Sequence, residues 1–509
     1  MNKIRTFKRK VSGKKGAYKK SMVSTYSNKY KWKIILPEQV YIKLEDCITV
    51  NPPNFPFKKE VALFFLSLIS SVPSFKKDKY YSGGYVNLKS EILKKYNRNY
   101  KKYFDYFKSN YIIDINPSFS NFKDNKFCKG FCYDYENLGN LTFKIIELEN
   151  LKGSFYNKLF KLNPSICDGT EYLTKWINEK LKIDIESTMP EIQMKLKYVS
   201  TEEQKNFKKS EHYLQSLANL DSQSFWAKRS NESDNRLHTN LTNMPKFFRK
   251  YIIYDGEGLI GLDIKNSQPF FLILLIEALK SAKLKEKNRE RERGKKNERK
   301  EEIINSIYGN TGTMLHVLQD SLYSKEFQKE YLDIKANILK GAFYESLAPH
   351  FEFQKNTKGK YQRKFYCEDS KKMRMYFFDE KRDVLKRLVL FFFYKSNKTQ
   401  SDVDYKKFKS LYPNFCEVLE LLKEKDNKLL PKVLQHLEAD CVLDYTCKEI
   451  AKKYPEMPLF TIHDSIITTE SNFDVLESEV KNLMEIYCNG IEPILKREDW
   501  CEECSSMVA

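Results

Sequence analysis

Hydrophobic and polar positions in the first third of the chain predict a small helical module with a short sheet. An apolar run at 61–72 has the length of a core helix, and residues 86–96 and 99–111 carry apolar or aromatic side chains at helical spacing. Two short strand-like runs follow at 112–115 and 130–133. We therefore expect a winged-helix-like module over 58–148. Such a module can hold DNA or serve in protein packing, because the fold alone does not fix the function.

The regions around this module are strongly charged. Residues 1–57 are dense in Lys and Arg and end in NPPNFPF, whose prolines predict a basic arm and connector without regular structure. Residues 149–235 are charged and helical in character, and a second charged block at 283–302 predicts a solvated helix inserted in the later part of the chain.

Two later segments place acids beside strand-like runs. In GLIGLDIKNSQPFFLILLI, Asp263 ends an apolar run that precedes an apolar helix, and in PLFTIHDSIITT, His463 and Asp464 lie between two short strands. An acid in such a position is usually a solvated or capping group. Two of them on strands of one sheet, however, would supply the hard oxygen ligands that Mg²⁺ prefers.

The order of the motifs around these acids resembles that of the family A DNA polymerases. Upstream of Asp263, the stretch NRLHTNLTNMPKFFRKYI is similar to the family segment that grips the primer–template duplex. The resemblance assigns duplex contacts to four of its residues, Arg236, Asn240, Asn243 and Arg249. Asn235 stands where the family has glycine.

A later helix completes the resemblance on the nucleotide side. EKRDVLKRLVLFFFYK is similar to the fingers helix of the family, in which Arg382 and Lys386 would bind the incoming triphosphate and Tyr394 would meet the nascent base pair. Spaced four apart, the two cations share one helical face. Leu390 and Lys395 depart from the family's aromatic and glycine. Gln268 falls where the family has a Glu that crowds the sugar, if no gap separates it from Asp263.

The last two motifs lie near the end of the chain. PKVLQHLEADCVLDY is similar to the segment in which Gln435 would contact the minor groove, and TIHDSI to the hairpin in which His463 would support the primer end. Ser465 follows Asp464 where the DNA enzymes usually have Glu. This serine is typical of the related single-subunit phage-type RNA polymerases.

The resemblance implies an α+β fold of the right-hand polymerase type. It would comprise an antiparallel palm sheet, helical fingers at roughly 300–400, a helical thumb within 149–235, and a palm-and-fingers domain at 236–509. Asp263 and Asp464 would hold two Mg²⁺ ions, with Mn²⁺ as an alternative, and Lys386 would act as a general acid. The expected partners are a DNA primer–template, with RNA as the alternative, and nucleoside triphosphates. No pattern for a proofreading exonuclease is present.

Three other functions stay open at this stage. They are a single-subunit-type RNA polymerase or primase-like enzyme, a non-catalytic replication protein that binds nucleic acid, and a template-independent transferase.

Composition limits the setting. The formal net charge of +21 favours a polyanionic partner, although a basic soluble protein is the plainer interpretation. The chain starts with a basic stretch unlike a secretory signal and has no apolar run long enough for a membrane span. The 11 cysteines form no disulfide framework, and the pairs Cys128/Cys132 and Cys501/Cys504 leave a metal site undecided. We expect a cytoplasmic protein.

Overall fold

The computed structural model describes most of the chain and divides it into two compact units. The described residues are 32–74, 85–118, 128–134, 143–148, 169–184, 188, 216–221, 223, 225–287, 295–309, 318, 320–367, 372–397 and 402–500. The first unit comprises residues 1–161 and 185–226, and the second comprises 162–184 and 227–509. Helices and antiparallel sheets are both present, so the fold is of the mixed helix-and-sheet type.

In the described part of the first unit, helices pack against two small antiparallel sheets. Its helices are α1 (Glu38–Val50), α2 (Lys59–Ser74), α3 (Ser90–Tyr96) and α4 (Tyr100–Ser109). Its strands are β1 (Trp32–Pro37), β2 (Val86–Asn87), β3 (Ile113–Asn116), β4 (Gly130–Tyr133) and β5 (Phe143–Leu148). Strand β1 pairs with β5, and β4 lies between β2 and β3. The core forms where the apolar face of α2 meets the aromatic face of α4, which buries Tyr103, Phe104 and Phe107.

Several sequence predictions for this unit are confirmed, and two are wrong. The core helix at 61–72 and the aromatic helix at 99–111 are present, as is the strand pair predicted as a wing. Residues 86–96 are not one helix, because β2 precedes α3. The basic arm predicted for 1–57 contains β1 and α1, since Ile34, Leu36, Val40 and Leu44 supply an apolar face that is buried in the core.

The second unit is organised around a six-stranded antiparallel sheet. Its strands run in the order β14 (Phe460–Ile462), β15 (Ser465–Thr469), β10 (Glu257–Ile264), β9 (Ile252–Tyr254) and β6 (Leu181–Ile183). Strand β16 (Leu495–Asp499) also pairs with β10. Strands β7 (Ala227–Lys228) and β8 (His238–Thr239) form a separate ladder.

Helices surround this sheet. They are α5 (Glu171–Thr174), α6 (Asn240–Asn243), α7 (Ser267–Lys287), α8 (Lys295–Tyr308), α9 (Lys325–Leu339), α10 (Phe343–Leu347), α11 (Lys381–Tyr394), α12 (Val403–Leu411), α13 (Pro413–Leu422), α14 (Leu429–Ala439), α15 (Lys448–Lys453) and α16 (Phe473–Tyr487). A π-helical segment, Asp440–Cys447, continues α14, and 3₁₀ turns lie at Lys246–Tyr251, Ala348–His350 and Glu470–Asn472. Helix α7 is buried on nearly every side between Phe270 and Ile276, as its continuous apolar sequence dictates.

The region predicted as all-helical at 300–400 also contains a three-stranded antiparallel sheet. Its strands are β11 (Gln354–Lys355), β12 (Tyr361–Cys367) and β13 (Lys372–Phe378). The pattern was missed because both faces of this sheet carry apolar residues, which hides the two-residue period. The strand β16 was not predicted either.

Two further predictions need correction or fall outside the described residues. The charged block at 283–302 is not wholly solvated, because Lys300 is buried and donates a hydrogen bond to the backbone carbonyl of Tyr487. Most of the helical region predicted for 149–235 lies outside the described residues, and its described part adds β6 to the large sheet. Within the described residues, no helix has the length and apolarity to cross a membrane.

Candidate functional site

The two predicted carboxylates are brought to neighbouring strands of the large sheet. Asp263 lies near the end of β10 and is paired with Ser465, the residue that follows Asp464. Asp464 itself lies in the two-residue turn that joins β14 to β15, as Ile462 and Ser465 are paired. Residues 201 positions apart in the chain therefore meet at one edge of the sheet.

The turn holds its shape at some conformational cost. His463 adopts a left-handed backbone with φ of 56°, which costs a residue other than glycine about 1–2 kcal/mol. A positive φ at the first turn position matches the right-handed twist of a tight hairpin. The ring of His463 meets that of His238 edge to face, with centroids 6.0 Å apart. The imidazole of His238 is in turn bonded to the carboxylate of Asp234 at 2.9 Å.

The surroundings of the two carboxylates disfavour their ionised forms. Burial, together with the negative charges of Asp464 and Glu498, raises the pKa of Asp263 to about 7. Burial also raises the pKa of Asp464, although its own backbone N–H and the cations Arg236 and Lys386 oppose the rise. Two buried acids of like charge hold their ionised forms only with difficulty unless a cation joins them.

Lys386 is the cation that acts on both acids. It lies on α11, and its positive charge lowers the pKa of Asp263 and that of Asp464. One turn earlier, Arg382 donates a hydrogen bond from Nη2 to Oδ1 of Asn266 at 2.9 Å and forms an ion pair with Glu345 at 3.0 Å. Its guanidinium lies 5.0 Å from the ring centroid of Tyr344. Of the predicted pair of cations, Lys386 therefore acts on the two acids, while Arg382 contacts Asn266, Glu345 and Tyr344.

The end of α11 contacts the start of α7. The hydroxyl of Tyr394 donates a hydrogen bond to Oε1 of Gln268 at 2.6 Å. This contact joins the helix of Arg382 and Lys386 to the segment that follows Asp263.

A fully buried acid that sequence reasoning missed lies behind this contact. Glu438, on α14, accepts hydrogen bonds from Ser267 at 2.6 Å, from Gln268 at 2.8 Å and from Arg236 at 2.7 Å. Burial and the negative charge of Asp464 raise its pKa to about 7 even though Arg236 and Ser267 oppose the rise. The signal was present, since Glu438 follows Leu434 by one turn on the apolar face of the helix.

Arg236 is therefore engaged within the protein. Its side chain is largely buried and paired with Glu438, and the charge of Asp464 lies close enough to raise its pKa. If Arg236 contacts a duplex, it must either donate to the duplex while it keeps its ion pair with Glu438, or break that ion pair.

A second acid that was missed, Glu498 on β16, anchors another predicted cation. Arg249 donates to Glu498 at 3.3 Å, and Lys246 donates to the same carboxylate at 2.9 Å. The guanidinium of Arg249 also lies 5.4 Å from the ring centroid of Trp500. Asp263, Glu498 and these cations form one charged neighbourhood.

The remaining predicted residues lie around this centre rather than in it. Asn240 is buried in α6, whose start is capped by Thr239, and Asn243 is half-buried at its end. Gln435 is half-buried on α14, one turn before Glu438. Among the described residues, no hydrogen bond links Asn243 or Gln435 to Asp263 or Asp464.

The described residues contain no group of three or more His, Cys, Asp or Glu arranged to hold a metal ion. Two carboxylates remain a sufficient protein contribution for Mg²⁺, which usually keeps water and substrate oxygens as its other ligands. Cys128 and Cys132 form no disulfide with any described residue, and Cys501 and Cys504 lie outside the described residues.

No protein-family model matches the chain, and none of the curated proteins is a recognisable relative.

Proposed function

We propose that this protein is a template-directed DNA polymerase of the family A type that extends a primer by two-metal-ion chemistry. One observation carries the proposal. Asp263 on β10 and Asp464 in the turn that leads into the adjacent strand β15 lie at one edge of an antiparallel sheet, and Lys386, from a separate helix, acts electrostatically on both. The sequence motifs that identify these residues are short. Residues matched only by chance would have no reason to lie close together in the fold, whereas these three do.

The acids suit a pair of divalent cations. Their raised pKa values mark a site where negative charge is held at a cost in folding free energy, and bound Mg²⁺ would relieve that cost. Asp263 and Asp464 would hold the ions, which when bound supply activation of the primer hydroxyl and stabilisation of the leaving pyrophosphate. Hard carboxylate oxygens on short side chains are appropriate ligands for Mg²⁺.

The side chains on α11 have separate roles in the proposal. Arg382 and Lys386, one turn apart, bind the triphosphate through charge-assisted hydrogen bonds. Lys386, which acts on both acids, holds the proton that pyrophosphate takes as it leaves. Tyr394 and Gln268 form the wall against which the sugar and base of the incoming nucleotide pack.

The duplex would lie on the other side of the acids. Arg236, just before β8, and His463, in the β14–β15 turn, border Asp464. Gln435 lies on α14 one turn before Glu438, and Asn240, Asn243 and Arg249 line the adjacent segment. In this proposal the large sheet is the palm, the helices and small sheet at 295–422 are the fingers, and the architecture is that of a right hand.

A ribonucleotide-polymerising enzyme of the single-subunit type is the second candidate. Two observations favour it. Gln268, bonded to Tyr394, is neutral where the DNA enzymes have an acid, and Ser465 follows Asp464. A neutral amide offers a hydrogen-bond partner to a 2′-hydroxyl where a carboxylate would crowd it.

The test is primer extension by the purified full chain. The protein is incubated with Mg²⁺, a labelled primer on a DNA template, and either dNTPs or rNTPs, beside Asp464→Asn and the exposed-site control Asp105→Asn. Template-matched extension with dNTPs that only Asp464→Asn abolishes supports the DNA polymerase. Extension with rNTPs alone supports the second candidate, and extension that ignores the template sequence or survives Asp464→Asn refutes both.

A further inference from the structure

The small sheet β11–β13 has two faces of different character. Its inner face is packed against the protein, where the guanidinium of Arg387, on α11, lies 3.7 Å from the ring centroid of Tyr376 and 5.0 Å from that of Phe365. Arg363 on the same face is paired with Asp404. The sheet is thereby fixed to the helix that carries Arg382 and Lys386.

The outer face is apolar and exposed. The strand register pairs Tyr366 with Met373, Lys364 with Met375 and Gln362 with Phe377, so these six side chains alternate with the inner ones and share one face. Four of them are large apolar residues with exposed fractions of 41–56%: Tyr366, Met373, Met375 and Phe377. An exposed apolar cluster of this kind marks an interaction site.

The charge around this face identifies its partner. Lys364 on this face and Lys358 in the turn between β11 and β12 are exposed and form no ion pair with any described residue, while Lys360 is paired with Asp379. Cations free of acids, set among aromatic and thioether side chains, match a strand of phosphates and unpaired bases. A duplex would offer its phosphates but would keep its bases stacked inside, out of reach of Tyr366 and Phe377.

The geometry points to the outer face of this sheet as a binding site for single-stranded nucleic acid. From Met373 to Phe377 the face runs about 13 Å, enough for two or more bases. Tyr366 and Phe377 would stack on bases, Met373 and Met375 would fill the space between them, and Lys364 would contact phosphate.

The identity of the strand rests on the proposed function, in which it is the unpaired template ahead of the nascent pair. Only Asp379 and Glu380 separate β13 from α11. A strand held on the outer face would therefore enter the site close to the helix that binds the nucleotide.

The experiment measures equilibrium binding by fluorescence anisotropy. Two labelled duplexes are compared, one blunt and one with a single-stranded 5′ extension of about 12 nucleotides, which spans a typical single-strand site. The variants are Tyr366→Ala/Phe377→Ala and the aromatic-retaining Tyr366→Phe/Phe377→Tyr. Leu332→Ala, an exposed apolar residue on α9, and Lys406→Glu, an exposed lysine on α12, serve as controls.

We expect the alanine pair to weaken binding of the extended duplex about tenfold or more and to leave the blunt duplex unchanged. The aromatic-retaining pair and both controls should bind like the parent. Lys364→Glu should weaken binding of the extended duplex and lower its salt dependence by about one phosphate contact.

The outcomes separate this inference from the proposed function. A parent that extends no primer, while the alanine pair still loses affinity for the extended duplex, would reject the polymerase and keep the single-strand site. A parent that extends primers, while the alanine pair binds every oligonucleotide unchanged, would overturn the single-strand site alone and leave the face to a protein partner. Equal losses on blunt and extended duplexes would also overturn it.

Discussion

The hydroxyl of Tyr394 at the end of α11 is bonded to the side-chain carbonyl of Gln268 at the start of α7, with 2.6 Å between the oxygens. The two residues lie 126 positions apart in the chain. Gln268 also donates to Glu438, so its amide is fixed at both ends. The contact connects the helix that would bind the nucleotide to the helix that follows Asp263.

Sugar selection should depend on this bond. Tyr394→Phe removes the hydroxyl that orients Gln268, and a neutral hydrogen bond contributes about 1 kcal/mol, so we expect the preference between dNTP and rNTP to change about fivefold in kcat/KM. Tyr405→Phe, which breaks a similar bond to Glu420 away from the acids, is the matched control. An unchanged preference in Tyr394→Phe would exclude a role for this contact in selecting the sugar.

Glu438 should be more important for stability than its position in an apolar helix suggests. Glu438→Ala leaves Arg236 buried without its partner, and we expect the free energy of unfolding to fall by about 3–5 kcal/mol in urea titrations. Glu438→Gln keeps one side-chain oxygen that can accept two of the hydrogen bonds that Glu438 accepts, so the free energy of unfolding should fall by less than in Glu438→Ala. Glu417→Ala, an exposed residue on α13, should change stability by no more than about 0.5 kcal/mol. A small effect of Glu438→Ala would mean that the helix can release Arg236 to water.

The difference between what the sequence predicted and what it missed has a physical basis. The strands around Asp263 and Asp464 and the helix 381–394 were predictable, because each carries an apolar pattern of the right period next to its polar residues. The apolar face of α14 marks Glu438 as a buried position, but the pairing of Glu438 with Arg236 and of Glu498 with Arg249 was not predictable, because which cation folds against an acid is not encoded in the local pattern. That information is tertiary.

The small sheet β11–β13 shows a different limit. Its outer face carries Tyr366, Met373 and Phe377 although it is exposed, so the alternation of apolar and polar residues that reveals a strand is absent. Where local pattern and observed exposure disagree, a functional reason is to be expected.

Lys386 should affect the chemical step more than nucleotide binding. Because Lys386 is the proposed general acid, the Lys386→Ala substitution should lower kcat about 10²–10⁴-fold in single-turnover measurements. Arg382→Ala should instead raise KM, because the lost contact is to the triphosphate. Lys381→Ala, an exposed lysine at the start of the same helix, should retain parental kinetics. If Lys386→Ala raises KM with kcat unchanged, the lysine binds substrate and does not transfer a proton.

The raised pKa of Asp263 makes stability depend on pH and on divalent cations. In the folded protein this carboxyl keeps its proton up to about pH 7, whereas in the unfolded chain it ionises near its ordinary pKa of 3.8. The folded state therefore binds the extra proton between these values, and the free energy of unfolding falls as pH rises from about 4 to about 7. Above pH 7 the full penalty of the buried charge applies.

Asp263→Asn should remove this penalty. In EDTA at pH 8 we expect the variant to melt at a higher temperature than the parent, by a margin that shrinks toward pH 5, since one pKa unit corresponds to about 1.4 kcal/mol. Mg²⁺ should raise the melting temperature of the parent at pH 8, less so at pH 5.5, and should leave Asp263→Asn unchanged. Asp105→Asn should follow the parent throughout. If parent and Asp263→Asn melt in parallel across this range in EDTA, burial and Asp464 do not hold the carboxyl protonated, and the electrostatic argument for a cation between the two acids fails.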